Sequence, residues 1–240
     1  MILDGFVLAG GRSTRMGADK ARLPFPDGWP MATEVATVLA TVCARVALVR
    51  RGPPDGLPWP RPDGAAWEVV RDADERQVHP LNGLVTACAA ARTPWLVVVP
   101  CDVPFLPSEA VRRLIDAVPF GTLGRAEAAE PGAAAPLAVV AAHGEAVHPL
   151  VGVYPRALGP AAARAAAAGT SVRAFLRGAR RVYLPAEWLR NVNRWEDTGR
   201  ALEPLQALVA GLPWIQGPDR ERLLAGEIER LATRGSVAPG

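Results

Sequence analysis

The sequence predicts an α/β protein in which one β-sheet carries helices on both faces. Short apolar runs of strand length alternate along the chain with longer, Ala-rich segments of helical length, and this alternation is typical of α/β folds. The run from Trp95 to Val99 is apolar throughout, as expected for a parallel strand that is buried on both faces. A chain of 240 residues, half of them hydrophobic, is long enough to bury a substantial core.

Four strands and three helices are expected in the first half of the chain. The apolar runs place the strands at 6–9, 46–49, 67–70 and 95–99, and the helices at 31–44, 80–92 and 107–118. Pro80 suits the first turn of the second helix, and Ser108 is expected to cap the third. Residues 52–66 are rich in Pro, Gly and Asp, and they are predicted to form a loop.

The second half begins with residues 121–136, whose Gly, Ala, Glu and Pro content predicts a mobile segment. Strands are expected at 137–142, 150–154 and 181–184, with a polar loop at His148 leading into the second of them. Gly169 is expected to end a helix over 155–168. Thr170 and Ser171 should then cap a short helix that runs to Leu176. Two further helices are predicted at 195–210 and 218–233.

Composition excludes several classes of protein. The net charge of +3 arises without a long basic block, so nucleic-acid binding is not indicated, whereas an anionic small molecule such as a nucleotide is compatible with it. The three Cys residues lie far apart and have no CxxC spacing, which favours a reducing compartment. No secretory signal and no uncharged apolar run near the ~18 residues of a membrane span are present. We therefore expect a cytoplasmic protein without a membrane segment.

Lys20 is the only lysine in the chain, since the other 26 basic residues are Arg. It ends a segment that starts at Leu8 and contains Gly10, Gly11 and Arg15. Adjacent glycines let backbone N–H groups approach an anion, Arg15 offers a forked phosphate donor, and Lys20 offers a compact charge. The segment has neither the Walker A nor the GxGxxG spacing. The competing interpretation is an ordinary strand-to-helix turn in which one Lys survived by chance.

Asp102 follows the most apolar strand of the chain and lies between Pro100 and Pro104. Pro restricts the backbone and therefore the direction of the neighbouring carboxylate. A carboxylate beside triphosphate oxygens is the kind of ligand that Mg²⁺ requires, with phosphate and water completing its coordination. The alternative is that Asp102 caps the following helix, but Ser108 is closer to that helix and is the better cap.

Three further places carry polar groups of interest. Asp72 lies at a strand end, where its carboxylate can accept from the N1–H and N2–H groups of a guanine. His79 precedes a proline, and we favour a structural role for it. Asn191 and Asn193 have the alternate spacing that places both on one side of an extended chain, although Asn193 is also a candidate N-cap.

Taken together, these residues resemble the molybdenum cofactor guanylyltransferase family over roughly residues 5 to 200. The family pattern has five elements: an LAGGxSxRMGxDK-type start, then PLxG, a PCDxPF-like strand exit, HPLxGxY, and an NxNxxED-like segment. The chain contains all five in that order, at Leu8–Lys20, Pro80–Gly83, Pro100–Phe105, His148–Tyr154 and Asn191–Asp197. The first element is shared by many nucleotidyltransferases of the same fold, whereas the combination and its order are more specific.

The resemblance implies a Rossmann-like, three-layer α/β/α sandwich with a mostly parallel sheet. It implies a nucleotidyltransferase domain at 1–200, whereas residues 201–240 depart from the family in length and are predicted to form a helical C-terminal extension. The implied reaction transfers GMP from GTP to the phosphate of molybdenum-molybdopterin and releases pyrophosphate, with Mg²⁺ as cofactor. The implied partners are therefore GTP and a molybdopterin-type acceptor, with other cofactor-biosynthesis or client proteins as further candidates.

Residue chemistry and the resemblance together predict roles for residues of this chain. Arg15, Lys20 and Asp102 would be catalytic, and Asp102 would also bind the metal. Asn191 and Asn193 would lie on the acceptor side. The nucleotide would be bound by Leu8, Ala9, Gly10, Gly11, Lys20, Asp72, Asn82, Gly83 and Asp102.

The chain departs from the family pattern near the expected base pocket. Arg50 and Arg51 stand where the family usually has a nucleotide-binding Asn, and His79 and Asn82 replace small residues. These departures leave open a cytidylyltransferase for the same cofactor. Two further alternatives are a nucleotidyltransferase for another phosphorylated acceptor and a nucleotide-binding accessory protein without turnover. Cytidylyltransferase relatives tend to carry LAAG and to lack PLxG, so the guanylyl interpretation is favoured.

Overall fold

The described part of the chain builds one seven-stranded sheet with helices on both faces. A computed structural model describes residues 2–10, 19–22, 29–51, 59–72, 79–119 and 138–192. The strand order across the sheet is β3-β2-β1-β4-β6-β5-β7. In chain order the strands are β1 (Asp4–Leu8), β2 (Arg45–Arg50), β3 (Glu68–Arg71), β4 (Trp95–Pro100), β5 (Val139–His143), β6 (Ala146–Pro155) and β7 (Arg180–Tyr183).

The sheet is mostly parallel, as predicted, with one antiparallel strand. β1 pairs in parallel with both β2 and β4, while β3 runs parallel to β2 and β7 runs parallel to β5. β6 is antiparallel to β4 and to β5. Only Gly144 and Glu145 separate β5 from β6, and so short a connection can join only antiparallel neighbours. Gly144 has a φ of 53°, which glycine adopts at little cost.

The helices lie in two layers, one on each face of the sheet. They are α1 (Met31–Ala40), α2 (Asn82–Ala90), α3 (Ser108–Asp116), α4 (Gly159–Ala167) and the short α5 (Val172–Phe175). One buried cluster joins α1 and α3 to Val97 and Val99, and the other joins α2 and α4 to Leu96 and Val98. Alternate residues of β4 therefore point into different cores, which confirms the three-layer sandwich.

One predicted helix cap is wrong and another is confirmed. Pro107 has extended backbone dihedrals, so Ser108 is already the first residue of α3, and no side chain caps this helix. In α5 the Oγ of Ser171 accepts from the Ala174 N–H at 3.2 Å. Gly169, with a φ of 68°, follows α4 as predicted.

The second correction concerns the segment around Pro155. The helix expected from 155 begins only at Gly159, because β6 continues to Pro155 and a short 3₁₀ turn follows. Pro155 pairs with Trp95 at the start of β4, and the Arg156 N–H then donates to the Pro94 carbonyl at 2.8 Å. The pairing with β4 therefore holds the chain extended beyond the point where its composition favours a helix.

The third correction is that His148 and Pro149 lie inside β6 and not in a loop before it. The pairing of β5 with β6 shifts between Val140 and Ala141, because Val140 faces Gly152 whereas Ala141 faces His148. Pro149 falls in this bulge, where a residue that cannot donate a ladder hydrogen bond is tolerated. The buried Tyr154 hydroxyl donates to the Pro149 carbonyl, so the HPLxGxY motif stabilises the bulge.

Several predictions fall outside the described residues: the mobile segment at 121–136, the helices at 195–210 and 218–233, and the extension at 201–240. Of the loop expected at 52–66, residues 59–66 are described, and they include an isolated antiparallel bridge between Pro60 and Ala66. No helix in the described ranges has both the length and the apolar character that crossing a membrane requires.

Candidate active site

The candidate site lies where four parallel strands end. β1, β2, β3 and β4 run in the same direction, so the residues that follow Leu8, Arg50, Arg71 and Pro100 all emerge at one edge of the sheet. Ligands of open α/β sheets bind at this edge. The sequence-predicted Gly10, Asp72 and Asp102 all follow these strand ends.

Lys20 and Asp102 form an ion pair at this edge. The Nζ of Lys20 donates to Oδ2 of Asp102 at 3.1 Å, although the two residues are 82 positions apart in the chain. Lys20 opens a short 3₁₀ turn, and Asp102 follows β4 by two positions. The side chains are 15% and 25% exposed, respectively. Two residues that the sequence singled out for phosphate and metal chemistry are thus brought together, with enough exposure to meet a ligand.

The backbone after β1 is largely engaged within the protein. The Ala9 N–H donates to the Val49 carbonyl at 2.9 Å, and the Leu8 carbonyl accepts from the Cys101 N–H at 3.0 Å. The Ala9 carbonyl accepts from Nη1 of Arg50 at 2.7 Å. Of the predicted contacts at Leu8, Ala9 and Gly10, the Gly10 N–H is the donor that has no hydrogen-bond partner among the described residues.

Gly10 is needed because the chain passes close to β2 at this point. A Cβ at Gly10 would lie 3.0 Å from the Arg51 nitrogen and 3.1 Å from the Arg51 Cβ. Any larger residue would push the β1 exit away from β2. Gly11 and Arg15, the other predicted phosphate contacts of this segment, lie outside the described residues.

Arg50 occupies a central position that the sequence did not reveal. Its Nη2 pairs with Oδ2 of Asp19 at 2.7 Å, and its guanidinium lies 4.7 Å from the ring centroid of Trp59. The guanidinium of Arg22 lies over the same indole at 4.0 Å. The signals in the sequence were that Arg50 stands near the place of a family Asn and that Asp19 belongs to the LAGGxSxRMGxDK-type start, whereas nothing marked Trp59.

Asp72 is held by a threonine of α2. The Oγ1 of Thr86 donates to Oδ1 of Asp72 at 2.8 Å, and the Asp72 N–H donates to the Arg50 carbonyl at 2.9 Å. Oδ2 accepts no hydrogen bond from the residues that the structure describes. Asp72 is therefore oriented by protein groups while one of its carboxylate oxygens remains available to a ligand. Thr86 could not be predicted from sequence because this contact depends on how α2 packs.

Asn82 and Gly83 begin α2 beside this carboxylate. Asn82 is buried and lies one helical turn from Thr86, so the two share a helix face. Gly83 packs against Leu8, because a Cβ there would lie 3.1 Å from Leu8 Cδ2. The first turn of α2 therefore approaches the end of β1 closely only because residue 83 has no side chain.

His79 has the structural role that was favoured for it. Its Nδ1 accepts from the Leu81 N–H at 3.2 Å, and its carbonyl accepts from the Asn82 N–H at 3.0 Å. These bonds satisfy two N–H groups at the start of α2 that have no acceptor within the helix.

The segment predicted to face the acceptor lies directly beside Asp102. The Val192 N–H donates to the Asp102 carbonyl at 2.8 Å. Asn191, which precedes Val192, is exposed, whereas Asn193 lies outside the described residues. The contact brings residue 191 to the carboxyl end of β4.

Burial shifts the pKa values of Cys101 and His148, two groups that also interact electrostatically with Asp102. Cys101 is buried, and this burial raises the pKa of its thiol to about 12, with smaller opposed effects from Asp102 and Lys20. Cys101 therefore stays a neutral thiol near neutral pH and is a poor nucleophile. Burial also lowers the pKa of His148, assisted by His143 and Arg173 and opposed by Asp102.

The Asp102 carboxylate is an oxygen donor that suits a hard divalent cation, provided that a bound ligand supplies further oxygens. Asp102 offers a partly exposed carboxylate. No group of three or more His, Cys, Asp or Glu side chains within the described ranges has the arrangement of a metal site. Mg²⁺ commonly binds one or two carboxylates and takes its remaining ligands from phosphates and water. Asp102 fits this type of site.

Comparisons with known proteins agree with the fold. The model of the MobA-like NTP transferase domain matches residues 5–186. Among solved structures, molybdopterin-guanine dinucleotide biosynthesis protein A from Archaeoglobus fulgidus superposes with a TM-score of 0.58 and 19% identity, covering 85% of this chain and all of that one. A 2-C-methyl-D-erythritol 4-phosphate cytidylyltransferase from Thermus thermophilus superposes with a TM-score of 0.54 and 16% identity, covering 82% of this chain and 96% of that one. At these identities the two structures support the fold alone.

Curated relatives are closer in sequence. A molybdenum cofactor guanylyltransferase from Burkholderia vietnamiensis is 42% identical over 114 residues, which are 47% of this chain and 54% of the relative. The chain thus spans about half the length of that relative. A molybdenum cofactor guanylyltransferase from Cereibacter sphaeroides is 35% identical over 209 residues, covering 84% of this chain and 96% of the relative. With its domain match and its sheet topology, the chain belongs to the family of proteins with a MobA-like NTP transferase domain.

Proposed function

We propose that this protein is a nucleotidyltransferase that transfers GMP from GTP to the phosphate of molybdenum-molybdopterin and releases pyrophosphate. The observation that carries the proposal is the Lys20–Asp102 pair, which lies 3.1 Å apart at the carboxyl edge of the parallel strands. The Cereibacter sphaeroides relative, which bears the name of this activity and matches over most of both chains, supports the choice of nucleotide and acceptor.

The proposed reaction needs positioning and charge neutralisation more than covalent help. An oxygen of the acceptor phosphate attacks the α-phosphorus of GTP. The bond from that phosphorus to the α,β-bridging oxygen breaks, and its electron pair leaves with pyrophosphate. Because the attacking phosphate is already anionic, no strong general base is required. Lys20, held at the strand edge, would place its ammonium among the phosphate oxygens and stabilise their charge.

Asp102 would hold Mg²⁺ in this scheme. The bound ion would reduce the repulsion between the nucleotide phosphates and the incoming acceptor phosphate. Lys20 would keep the Asp102 carboxylate directed at the edge of the sheet, and the Val192 N–H bond would fix the backbone of Asp102. We expect a divalent cation in general, and Mg²⁺ in particular, to be required for turnover.

Base recognition would rest on Asp72. Its carboxylate, oriented by Thr86, would accept from the N1–H and N2–H groups of guanine. Cytosine presents its N3 lone pair toward the same carboxylate, so CTP would be repelled at one of the two contacts. Asn82, buried at the start of α2, would border the base. Asn191 and Asn193 would face the pterin of the acceptor, on the Asp102 side of the site.

A single assay separates this proposal from its alternatives. The purified protein is incubated with Mg²⁺ and each of the four nucleoside triphosphates in turn, with either molybdenum-molybdopterin or a sugar phosphate as acceptor, and both nucleotide binding and pyrophosphate release are measured. Release with GTP alone, dependent on the acceptor and abolished by EDTA, is the expected result. Release with CTP would indicate a cytidylyltransferase, and release only with a sugar phosphate would indicate another acceptor. Tight nucleotide binding without release would indicate an accessory protein.

The cellular setting is part of the same proposal. The three cysteines are free and buried, in agreement with a reducing compartment such as the cytoplasm. The segment 201–240 would form a helical extension that packs on the domain, joins subunits or contacts a protein of cofactor biosynthesis or delivery.

A further inference from the structure

Asp19 and Lys20 are neighbours of opposite charge, and each is paired with a different strand end. Asp19 pairs with Arg50, the last residue of β2, at 2.7 Å, and Lys20 pairs with Asp102, beyond β4, at 3.1 Å. β1 lies between β2 and β4 in the sheet. The short segment 19–22 therefore spans the carboxyl end of β1 and is held on both sides.

The planar guanidinium of Arg50 makes three different contacts with residues that the structure describes. Nη1 donates to the Ala9 carbonyl at 2.7 Å, Nη2 contacts Asp19 at 2.7 Å, and the guanidinium lies over Trp59. The Arg50 side chain is 14% exposed. A guanidinium can serve two acceptors in its plane while its face lies on an aromatic ring, and the compact ammonium of lysine cannot reproduce this combination.

Trp59 contacts both Arg50 and Arg22, the residue at the far end of segment 19–22. The indole is buried, and Arg22 lies over it at 4.0 Å while Arg50 lies over it at 4.7 Å. Within the segment, Oδ1 of Asp19 accepts from the Ala21 N–H at 3.1 Å. Asp19 is thus fixed through both carboxylate oxygens, and the backbone that carries Lys20 is fixed on either side of it.

We infer that Arg50 is a positioning residue that sets the location of Lys20 through Asp19, and that it does not bind the nucleotide itself. Its hydrogen-bonding edge is directed to Ala9 and Asp19, and its face is covered by Trp59. The inference deepens the proposed function, on which it rests for the statement that a correctly placed Lys20 promotes nucleotidyl transfer. The rival interpretation is that Arg50 contacts the nucleotide directly.

The chain provides a direct probe of this inference, because Lys20 is its only lysine. The rate at which an amine-selective acylating reagent modifies Lys20 can be followed by peptide mass spectrometry, with the α-amino group as internal reference. The variants are Arg50→Gln, Arg50→Lys, Asp19→Asn and the double Arg50→Gln/Asp19→Asn. Asp102→Asn sets the rate for Lys20 released from its ion pair with Asp102.

Arg61→Gln is the matched control. Arg61 pairs with Asp63 at 2.7 Å and lies 4.5 Å from the ring centroid of Trp67. Like Arg50, it therefore contacts an aspartate and an indole, but these two residues belong to neither ion pair of the site. Thermal unfolding of every variant establishes that the fold is retained. If Arg50→Gln does not fold, Arg50→Lys tests the same link, because it keeps a cation at residue 50.

The expected result is that Arg50→Gln and Asp19→Asn each speed modification of Lys20 by about threefold to tenfold, and that the double variant is no faster than the faster single variant. Arg50→Lys should restore little of the slow, wild-type rate of Lys20 modification, and Arg61→Gln should be modified at the wild-type rate. Arg50→Gln removes a cation and Asp19→Asn removes an anion, so an effect of charge alone would change the rate in opposite directions in the two variants. Acceleration in both variants therefore reports a loss of position.

Turnover measurements then distinguish a positioning role of Arg50 from direct contact between Arg50 and the nucleotide. In the pyrophosphate assay, Arg50→Gln and Asp19→Asn should lower kcat to a similar degree, non-additively, with a smaller change in the KM for GTP. The inference would be overturned if Lys20 of Arg50→Gln were modified at the wild-type rate. It would also be overturned if Arg50→Gln raised the KM for GTP and Asp19→Asn did not. The labelling result does not depend on GTP turnover, so failure of the proposed function is recognised separately by an inactive wild-type protein.

Discussion

The Nζ of Lys20 lies 3.1 Å from Oδ2 of Asp102, and this contact joins the exit of the first strand to the exit of the fourth. β1 and β4 are adjacent and parallel, with Leu8 opposite Pro100, so the segments that follow them emerge side by side. A cation and a carboxylate meet where both are partly accessible. The proposed transfer between phosphates would use this arrangement, with Lys20 as a fixed positive charge and Asp102 as the metal ligand.

Replacing Lys20 by Arg should lower kcat by about 10²-fold, because a planar fork cannot reproduce a compact charge at the same place. The protein should remain folded, since the ion pair with Asp102 can still form. Pyrophosphate release at saturating GTP and acceptor measures the effect. Arg61→Lys, in the exposed pair with Asp63, is the control and should retain wild-type kcat. A Lys20→Arg protein with wild-type kcat would contradict the point-charge argument.

Asp102→Ala should abolish turnover that depends on a divalent cation, by about 10³-fold or more. The carboxylate is the proposed metal ligand, and its loss also leaves Lys20, which is 15% exposed, without this partner. Asp102→Asn keeps the shape of the side chain and should be similarly inactive, which distinguishes loss of charge from loss of packing. The assay is pyrophosphate release over a titration of Mg²⁺. Activity retained in either variant with the same Mg²⁺ dependence would refute the metal assignment.

Thr86→Val should raise the KM for GTP by about tenfold, because the variant removes the hydroxyl that orients Asp72 while keeping the size of the side chain. The bond from Oγ1 to Asp72 Oδ1 is 2.8 Å long. Discrimination between GTP and CTP should also decline. Thr41→Val is the control, since its hydroxyl donates to the Val38 carbonyl at an exposed helix end. An unchanged KM and an unchanged GTP preference would exclude Asp72 as the base-reading residue.

Gly152→Ala should destabilise the protein by about 3 kcal/mol or more, because the new Cβ would lie 2.3 Å from the Val139 carbonyl oxygen. That oxygen belongs to a strand backbone and cannot move without breaking the pairing of β5 with β6. The free energy of unfolding from urea titrations measures the cost. Gly178→Ala is the matched control, because nothing lies within 4 Å of its Cβ position, and it should change stability by less than about 0.5 kcal/mol.

Stability should decrease as the pH falls below about 6.5, in part because of His148. Burial lowers the pKa of this imidazole below its ordinary value of 6.5, with His143 and Arg173 acting in the same direction and Asp102 opposing them. The unfolded chain therefore binds the proton more readily, so acid favours unfolding. His148→Gln should lose less stability between pH 7.5 and pH 5.5 than the wild type, as measured by urea unfolding. Equal losses in the two proteins would exclude His148 as a contributor.

Much of the architecture could be predicted from sequence. The apolar run from Trp95 to Val99 identified a strand buried on both faces, and the alternation of elements identified a layered sheet, because burial and periodicity are local properties of a sequence. The errors occurred where tertiary pairing outweighed local preference. Pro155 stays extended because it pairs with Trp95 of β4, and His148 lies within a strand because a bulge accommodates Pro149.

The sequence by itself determined which chemical groups this protein has at its strand ends: a unique lysine, the carboxylates of Asp72 and Asp102, and glycines where the chain turns closely. Only the tertiary structure decided which of them meet. The contacts of Lys20 with Asp102, of Arg50 with Asp19 and of Thr86 with Asp72 each cross between separate elements. Their partners are chosen by strand order and helix packing, which result from burial of the whole core and are not specified by any local pattern.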